Sequence, residues 1–311
     1  MSQTQGAPFR YRLGLSQPET GPTVRRLVEM AEAVRAETGR RLEVAVFPES
    51  RLGPDPAMLA DLQRGRLEFY LSGNLLAGIV PETELPSLPF AFDDSQAVFA
   101  ALDGELGAVI RAGLAQRGLH AFPHCCNNGF HQITTANRAI HTAEDFTGLR
   151  IRTPGGAMAA DFFRTLGAEA GFVPFSGMYD ALGAGEFDGQ SDPLGVVQAL
   201  KLHEVQRYLS LTDHWWTGFT LLAGDAAWRA LPADLQESVT RHAARFALLQ
   251  RADIDAINAS GAAALAAAGM QVNAADRSSL RKALSDFYTR WQRRFDPAAW
   301  RTLERYTDAL S

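Results

Sequence analysis

The chain of 311 residues contains no run of eighteen apolar residues, so nothing in it reads as a membrane-spanning helix. It holds only two cysteines, Cys125 and Cys126, side by side. Neighbouring cysteines rarely meet disulfide geometry without distortion, and a metal site needs more ligands at suitable spacing. They read as small buried residues and carry no message about redox compartment. There is no excess of positive charge. A net charge of −5 argues against a nucleic-acid or anionic-membrane surface, while leaving room for one basic site in a cleft. Enzyme signatures are missing as well. GxSxG, HExxH, CxxC, GxxxxGK[ST] and GxGxxG are all absent, the seven histidines are scattered, and His203-Glu204 reads as surface. Missing motifs do not exclude an enzyme, because catalytic triads are set by geometry and not by sequence order. Internal repeats and low-complexity tracts are lacking too.

What is present is an ordinary globular composition, 46% hydrophobic and 21% charged, long enough for two domains. Residues 9–15 alternate like a strand. Residues 22–37 follow a helical period, with Val24, Leu27, Val28, Ala31 and Val34 on one face and Gly39 as the stop. A strand over 42–47, a helix over 56–64 and a strand over 67–72 complete a strand-helix-strand-helix-strand series, which predicts a parallel sheet covered by helices. Residues 81–89 carry three prolines and read as a crossing segment. A single long helix is predicted over 95–116, then strand or crossover over 121–126. A second unit follows, with strands over 130–135 and 149–153 and a helix over 155–166. Residues 208–213 read as a returning crossover and 217–224 as strand. Residues 231–268 form one helical run, with Pro232 at its start and Asp225 or Asp234 as N-cap candidate. At about 1.5 Å per residue such a helix reaches beyond one lobe. The tail over 276–309 predicts two more helices, with Trp291 and Trp300 packing.

Two segments carry the candidate site. In Leu149-Arg150-Ile151-Arg152-Thr153-Pro154, alternation puts Arg150 and Arg152 on one face. Arg152 sits at the strand's C-terminal end before Gly155-Gly156, where open α/β sheets bind ligands and helix N–H groups attract anions. Its planar fork matches a carboxylate; a solvated strand-end arginine is the plainer reading. In FVPFSGMYDALGAGEFDGQSDP, residues 172–193, a short helix over 176–182 precedes glycine turns and the polar group Gln190, Ser191 and Asp192. Asp192 either faces a ligand or simply caps the helix after Pro193. Gln17 follows the first strand and Ser72 and Asn74 follow the third, positions that the strand-end rule directs to a cleft. Trp215 and Trp216 read either as core or as one ring facing that cleft, where it would suit apolar or cyclic ligand atoms or a cation.

The segments GFHQITTANRAI, AEDFTGLRIRTP, VPFSGMYDALGAGEFDGQSDPL and HEVQRYLSLTDH, in that order, resemble the solute-binding proteins of TRAP (tripartite ATP-independent periplasmic) transporters. That family shows a GFR-type strand, then DLKGLKIRVP, then PFxEVYxALQxGxVDGQENP, then YEVQKYLSLTxH. EVAVFPESRLGPDPAMLADLQRGRLEF and ELPSLPFAFDD agree with its N-terminal half, so the likeness runs from Arg10 to about Ala268. The resemblance implies a two-lobed α/β periplasmic-binding-protein fold with hinge strands and a long helix spanning both lobes. Residues 1–126 and 214–255 would make lobe I, and 127–213 with 256–311 lobe II and its bracing C-terminal helices.

It also implies a non-catalytic receptor that closes on a small organic carboxylate, needs no cofactor, and delivers its ligand to integral membrane subunits. The implied setting is periplasmic and monomeric, the polar residues 1–8 (MSQTQGAP) following a leader already removed. Arg152 would anchor the carboxylate, assisted by His131 and Asn128. Gln190 and Asp192 would hold the ligand's far end, and Phe175 with Trp215 or Trp216 would form the wall. The sequence departs from the family at three points. His131 stands where a second arginine is usual, Asp192 where asparagine is usual, and Gly177 where glutamate is usual. A two-lobed enzyme of acidic substrates, using His131 or Asp192 as base, and a binding protein feeding a sensor kinase are the alternatives.

Overall fold

The computed structural model describes residues 9–153, 155–307 and 310; the readings made above for residues 1–8 and Pro154 lie outside the described residues. In chain order the elements are β1 (Phe9–Gly14), α1 (Pro22–Glu37), β2 (Leu42–Phe47), α2 (Asp55–Gln63), β3 (Phe69–Ser72), α3 (Ser95–Asp103), α4 (Glu105–Ala115), β4 (Leu119–Ala121) and β5 (Cys126–Thr135). Then come β6 (Arg150–Thr153), α5 (Ala157–Thr165), β7 (Glu169–Phe172), α6 (Met178–Gly183), β8 (Gly189–Pro193), α7 (Leu194–Ala199), β9 (Tyr208–Leu211) and β10 (Trp216–Gly224). The chain ends with α8 (Asp225–Ala230), α9 (Ala233–Ala267), β11 (Gln271–Ala274), α10 (Arg277–Lys282), α11 (Ser285–Gln292) and α12 (Pro297–Leu303). The fold is mixed α/β.

The chain divides into two compact units. The first takes the described residues up to Thr83 with Leu102–Asn127 and Gly218–Asp253; the second takes Glu84–Ala101, Asn128–Thr217 and the described residues from Ile254 onward. The boundary therefore falls inside α3, β5, β10 and α9. Residues 84–101, read above as part of lobe I, pack in the second unit: Phe90 N donates to the carbonyl of His214 at 2.8 Å, and Tyr288 OH to that of Pro89 at 2.8 Å.

In the first unit β1 lies between β2 and β3, all parallel, and β10 runs antiparallel to β3 and β4. Parallel pairing follows from the helical crossovers α1 and α2, each of which returns the chain to the same sheet edge. Helix α1 starts at Pro22 without a side-chain cap and stops where Gly39 takes φ +58°. Its inward face is Val24, Leu27, Met30, Ala31 and Val34; Val28, expected there, is 46% exposed. The helix turns 100° per residue, so Met30 and not Val28 falls on the stripe that meets Leu13 and Leu42.

The second unit's sheet runs β11-β9-β5-β8-β6-β7, with β9 and β8 antiparallel to β5 and β6 parallel to both β8 and β7. Its core joins Met178, Leu182, Leu194, Val197, Leu202, Leu209, Leu265 and Met270, each buried side chain contributing roughly 1.5–3 kcal/mol. Three local expectations change. The predicted helix over 95–116 is two helices, α3 and α4, broken at Gly104. The predicted tail of two helices is three, α10 to α12, preceded by the unforeseen strand β11. Asp225 opens a separate short helix, α8, and only Asp234 lies in the first turn of α9. Cys125 and Cys126 are free thiols.

Candidate functional site

Strand β6 places Arg152 between two neighbours. Its Cα pairs with Gln190 on β8 and with Gly171 on β7. Alternation directs Arg152, Gln190 and Asp192 to the same face of the sheet. Arg150, one turn of the pleat earlier, bonds Asp188 through Nη2 at 2.9 Å and Nε at 3.2 Å at the strand's exposed start. Arg152 is instead buried, its side chain 2% exposed. Nε donates to the carbonyl of Val173 at 2.9 Å and Nη1 to Asp192 Oδ2 at 2.7 Å. Among the described residues no acceptor is found for Nη2, and no donor for Asp192 Oδ1. Burial pushes the Asp192 carboxyl up to about 6 although the Arg152 guanidinium pulls it down. Burial also lowers Arg152, against the attraction of Asp192.

Asp192 does not cap the following helix. Pro193 is the N-cap of α7 and no side-chain cap bond is made, because the carboxylate is turned to Arg152. The capping alternative is thereby corrected. Gln190, fully buried, donates through Nε2 to Thr134 Oγ1 at 3.0 Å, which donates to Gln206 Oε1 at 3.2 Å. Gln206 Nε2 ends on the carbonyl of Val205 at 3.1 Å. Gln190 Oε1 is buried and receives no hydrogen bond among the described residues.

The opposite face of β5 and β8 carries a second polar group. His131 Nδ1 lies 3.0 Å from Ser191 Oγ and Nε2 lies 2.9 Å from Thr217 Oγ1. Ser191 Oγ continues to His214 Nε2 at 2.9 Å, and His214 Nδ1 to Thr212 Oγ1 at 2.8 Å. Asn128 Nδ2 donates to Thr217 Oγ1 at 3.1 Å, and Thr212 Oγ1 donates to the His131 carbonyl at 3.5 Å. With Asn128 donating to Thr217 Oγ1 and Thr212 Oγ1 donating to the His131 carbonyl, every contact in this hydrogen-bonded chain is satisfied by neutral Nδ1–H tautomers of both histidines. Burial pushes His131 down to about 3, with the Arg152 charge adding to the effect, and pushes His214 well below its ordinary value. His131, where the resemblance implied that an arginine is usual, is a neutral hydrogen-bonding group.

Of the two tryptophan readings, burial favours the core one. Trp215 is 4% exposed and packs against Phe162, Phe163, His214 and His131, with ring centroids 5.0, 5.7, 4.3 and 5.5 Å away. Trp216 is equally buried and meets Phe99 edge-on at 6.1 Å. Both rings are occupied by core packing. Phe172 and Phe175 are exposed on either side of Val173-Pro174, but Phe172 pairs with Thr153 and so lies on the face opposite Arg152. Gln17, Ser72 and Asn74 belong to the first unit. Ser72 is buried at the end of β3, Asn74 is exposed in the turn after it, and Gln17 is half-buried with Oε1 lacking a donor among the described residues.

Arg152, Asp192, Gln190, His131 and Asn128 are thus held within one unit, divided between two faces of one sheet. The residues that sequence reasoning missed are Thr212, His214 and Thr217, while Ser191 was named only as part of a polar strand end. All lie in or beside the DGQSDP and LTDH segments, whose resemblance was noted without a role for these side chains. Among the described residues no group of three or more histidines, cysteines, aspartates or glutamates is arranged to hold a metal, and no helix is long and apolar enough to cross a membrane.

Residues 13–294 match the family profile DctP, bacterial extracellular solute-binding protein, family 7. A solute-binding protein of Verminephrobacter eiseniae (strain EF01-2) is 29% identical over 298 residues, covering 95% of this chain and 89% of that protein. The 2,3-diketo-L-gulonate-binding periplasmic protein YiaO of Escherichia coli (strain K12) is 30% identical over 221 residues, 71% of this chain and 67% of the relative. A solved TRAP periplasmic solute-binding protein from Polaromonas sp. JS666, bound to D-erythronate, is 26% identical with a TM-score of 0.89 and covers 97% of this chain and 99% of its own. The chain belongs to family 7 of the bacterial extracellular solute-binding proteins, the solute-binding proteins of TRAP transporters.

Proposed function

We propose that this protein is a non-catalytic periplasmic receptor that binds a small organic carboxylate at Arg152 and passes it to the integral membrane subunits of a TRAP transporter. The observation that carries the reading is a buried guanidinium at a strand end whose Nη2 finds no acceptor among the described residues. A fork held by Val173 and Asp192 is preorganised, so little side-chain freedom is lost when an anion arrives. Relatives point the same way: one is named for 2,3-diketo-L-gulonate and one was solved with D-erythronate, both sugar-derived acids. Asn128 and His131 steady the strand behind the anchor, and the exposed ring of Phe175 supplies an apolar wall.

The enzyme alternative needs a base near neutrality. His131 has both ring nitrogens engaged and a pKa pushed down to about 3, which favours the receptor. A thermal-shift screen over organic acids, uronates and amino acids tests the proposal. A ligand at a hundred times its Kd stabilises by about 2.7 kcal/mol. The reading fails if no carboxylate shifts the transition, or if a bound acid is steadily converted to product.

A further inference from the structure

Resting on that reading, we propose that the acid taken by this site is a zwitterion, with its carboxylate on Arg152 and a protonated amine on Asp192 and Gln190. The argument is the donor and acceptor inventory of one sheet face. Arg152 uses Nε on Val173 and Nη1 on Asp192 Oδ2, leaving Nη2 as donor. Gln190 Oε1 is fully buried and receives nothing among the described residues, and the Arg152 bond falls on Asp192 Oδ2, leaving Oδ1 of that buried carboxylate as a second acceptor.

The Gln190 amide is not free to turn over. Its Nε2 supplies Thr134 Oγ1, whose proton is committed to Gln206 Oε1, and Gln206 Nε2 is in turn committed to Val205. Asp192 and Gln190 are two residues apart on β8, hence about 7 Å apart along one face. The face therefore offers one cationic donor beside two acceptor oxygens.

A plain carboxylate brings only acceptors. It would satisfy Nη2 but set its oxygens against the Asp192 carboxylate and the Gln190 carbonyl. An α-hydroxyl brings one proton and no charge. An α-ammonium brings three donors and the charge that opposes Asp192. Charge balance points the same way, because Arg152 and Asp192 already neutralise each other. A monoanion would add an uncompensated negative charge to a buried site, whereas a zwitterion adds none. His131 supplies no compensating charge, since its two nitrogens are fixed by Ser191 and Thr217 in the neutral form.

The test is calorimetric titration of the full chain with matched acids of one carbon skeleton: the L-amino acid, the 2-hydroxy acid, the plain acid and the N-acetylated amino acid, repeated for aliphatic, aromatic and dicarboxylic skeletons. Within the skeleton that binds, the amino acid is expected to bind about tenfold to hundredfold tighter than the hydroxy acid, with the plain and N-acetylated acids weaker still. Asp192→Asn is expected to close that gap. A hydroxy acid, plain acid or uronate that binds as tightly as its amino counterpart, or tighter, overturns the zwitterion and leaves the carboxylate receptor standing. Absence of binding by every acid overturns both. Should Asp192→Asn fail to fold, the ranking on the parent protein decides alone.

Discussion

Arg152 Nη1 donates to Asp192 Oδ2 at 2.7 Å across the β6–β8 register, and both side chains are buried. A buried ion pair loses hydration that its mutual attraction barely repays, so its stability contribution is small, but removing one partner strands the other at roughly 3–5 kcal/mol. Arg152→Ala is therefore expected to lose at least a hundredfold in carboxylate affinity, and Arg152→Lys to recover little because an ammonium lacks the planar fork. The double variant Arg152→Met with Asp192→Leu is expected to melt at or above the parent temperature while binding no acid. Calorimetry and thermal melts on the three variants separate the two effects. Binding within threefold of the parent in Arg152→Ala would remove Arg152 as the anchor.

Acid should weaken the fold from an unusually high pH. His131 is pushed down to about 3 and His214 well below 6.5 by burial, so between pH 6.5 and about 3 the unfolded chain binds protons that the folded chain refuses. Their stabilisation is complete above pH 6.5 and is lost as pH falls, by up to roughly 1.4 kcal/mol per pH unit for each histidine. Asp192 acts in the opposite sense. Its pKa is raised to about 6, so its contribution is present below 3.8 and is lost as pH rises through 6. Three histidines lowered by burial, His120 among them, outweigh Asp192 and Glu84, whose carboxyls burial raises, and Asp103 and Asp188, held low by burial-opposed bonds to Arg251 and Arg150, begin to matter only near pH 4. Melting temperature is expected to fall from pH 7 to pH 4.5, and His131→Asn to flatten the slope. A flat profile in the parent protein would contradict neutral buried histidines.

Arg251 should prove a structural arginine. Its Nη1 and Nη2 each meet an Asp103 oxygen at 2.8 Å, and Nε donates to the Cys125 carbonyl at 2.8 Å, tying α9 to α3 and to the chain entering β5. Arg251→Ala leaves Asp103 without its counter-charge and is expected to cost about 3–5 kcal/mol in chemical denaturation. A loss below 1 kcal/mol would show the pair to be dispensable.

Gly129 takes φ +114°, and a Cβ there would lie 2.2 Å from Asn258 Nδ2, which itself donates to the Asn128 carbonyl at 3.3 Å. Gly129→Ala combines backbone strain with displacement of that amide, and a loss of about 1–3 kcal/mol is expected. Unchanged stability in urea titration would mean that Asn258 moves aside at no cost.

The sequence alone determined what depends on neighbours along the chain. The parallel order of β1, β2 and β3 follows from helices placed between strands, and the inward face of α1 follows from helical period apart from the exchange of Val28 for Met30. Arg152 could be singled out because alternation and a following pair of glycines mark a strand end. Tertiary structure alone decided what meets each of these groups. Asp192 read as a ligand-facing group or a helix cap, and its pairing with Arg152 emerged only once β6 and β8 were seen to be adjacent, since a strand's face is local but its neighbour is not. Likewise the charge of His131 depends on Ser191, His214 and Thr217, which come from three separated stretches of chain. A side chain's protonation follows from burial and from donors brought in by other strands, and periodicity along one strand carries no information about either.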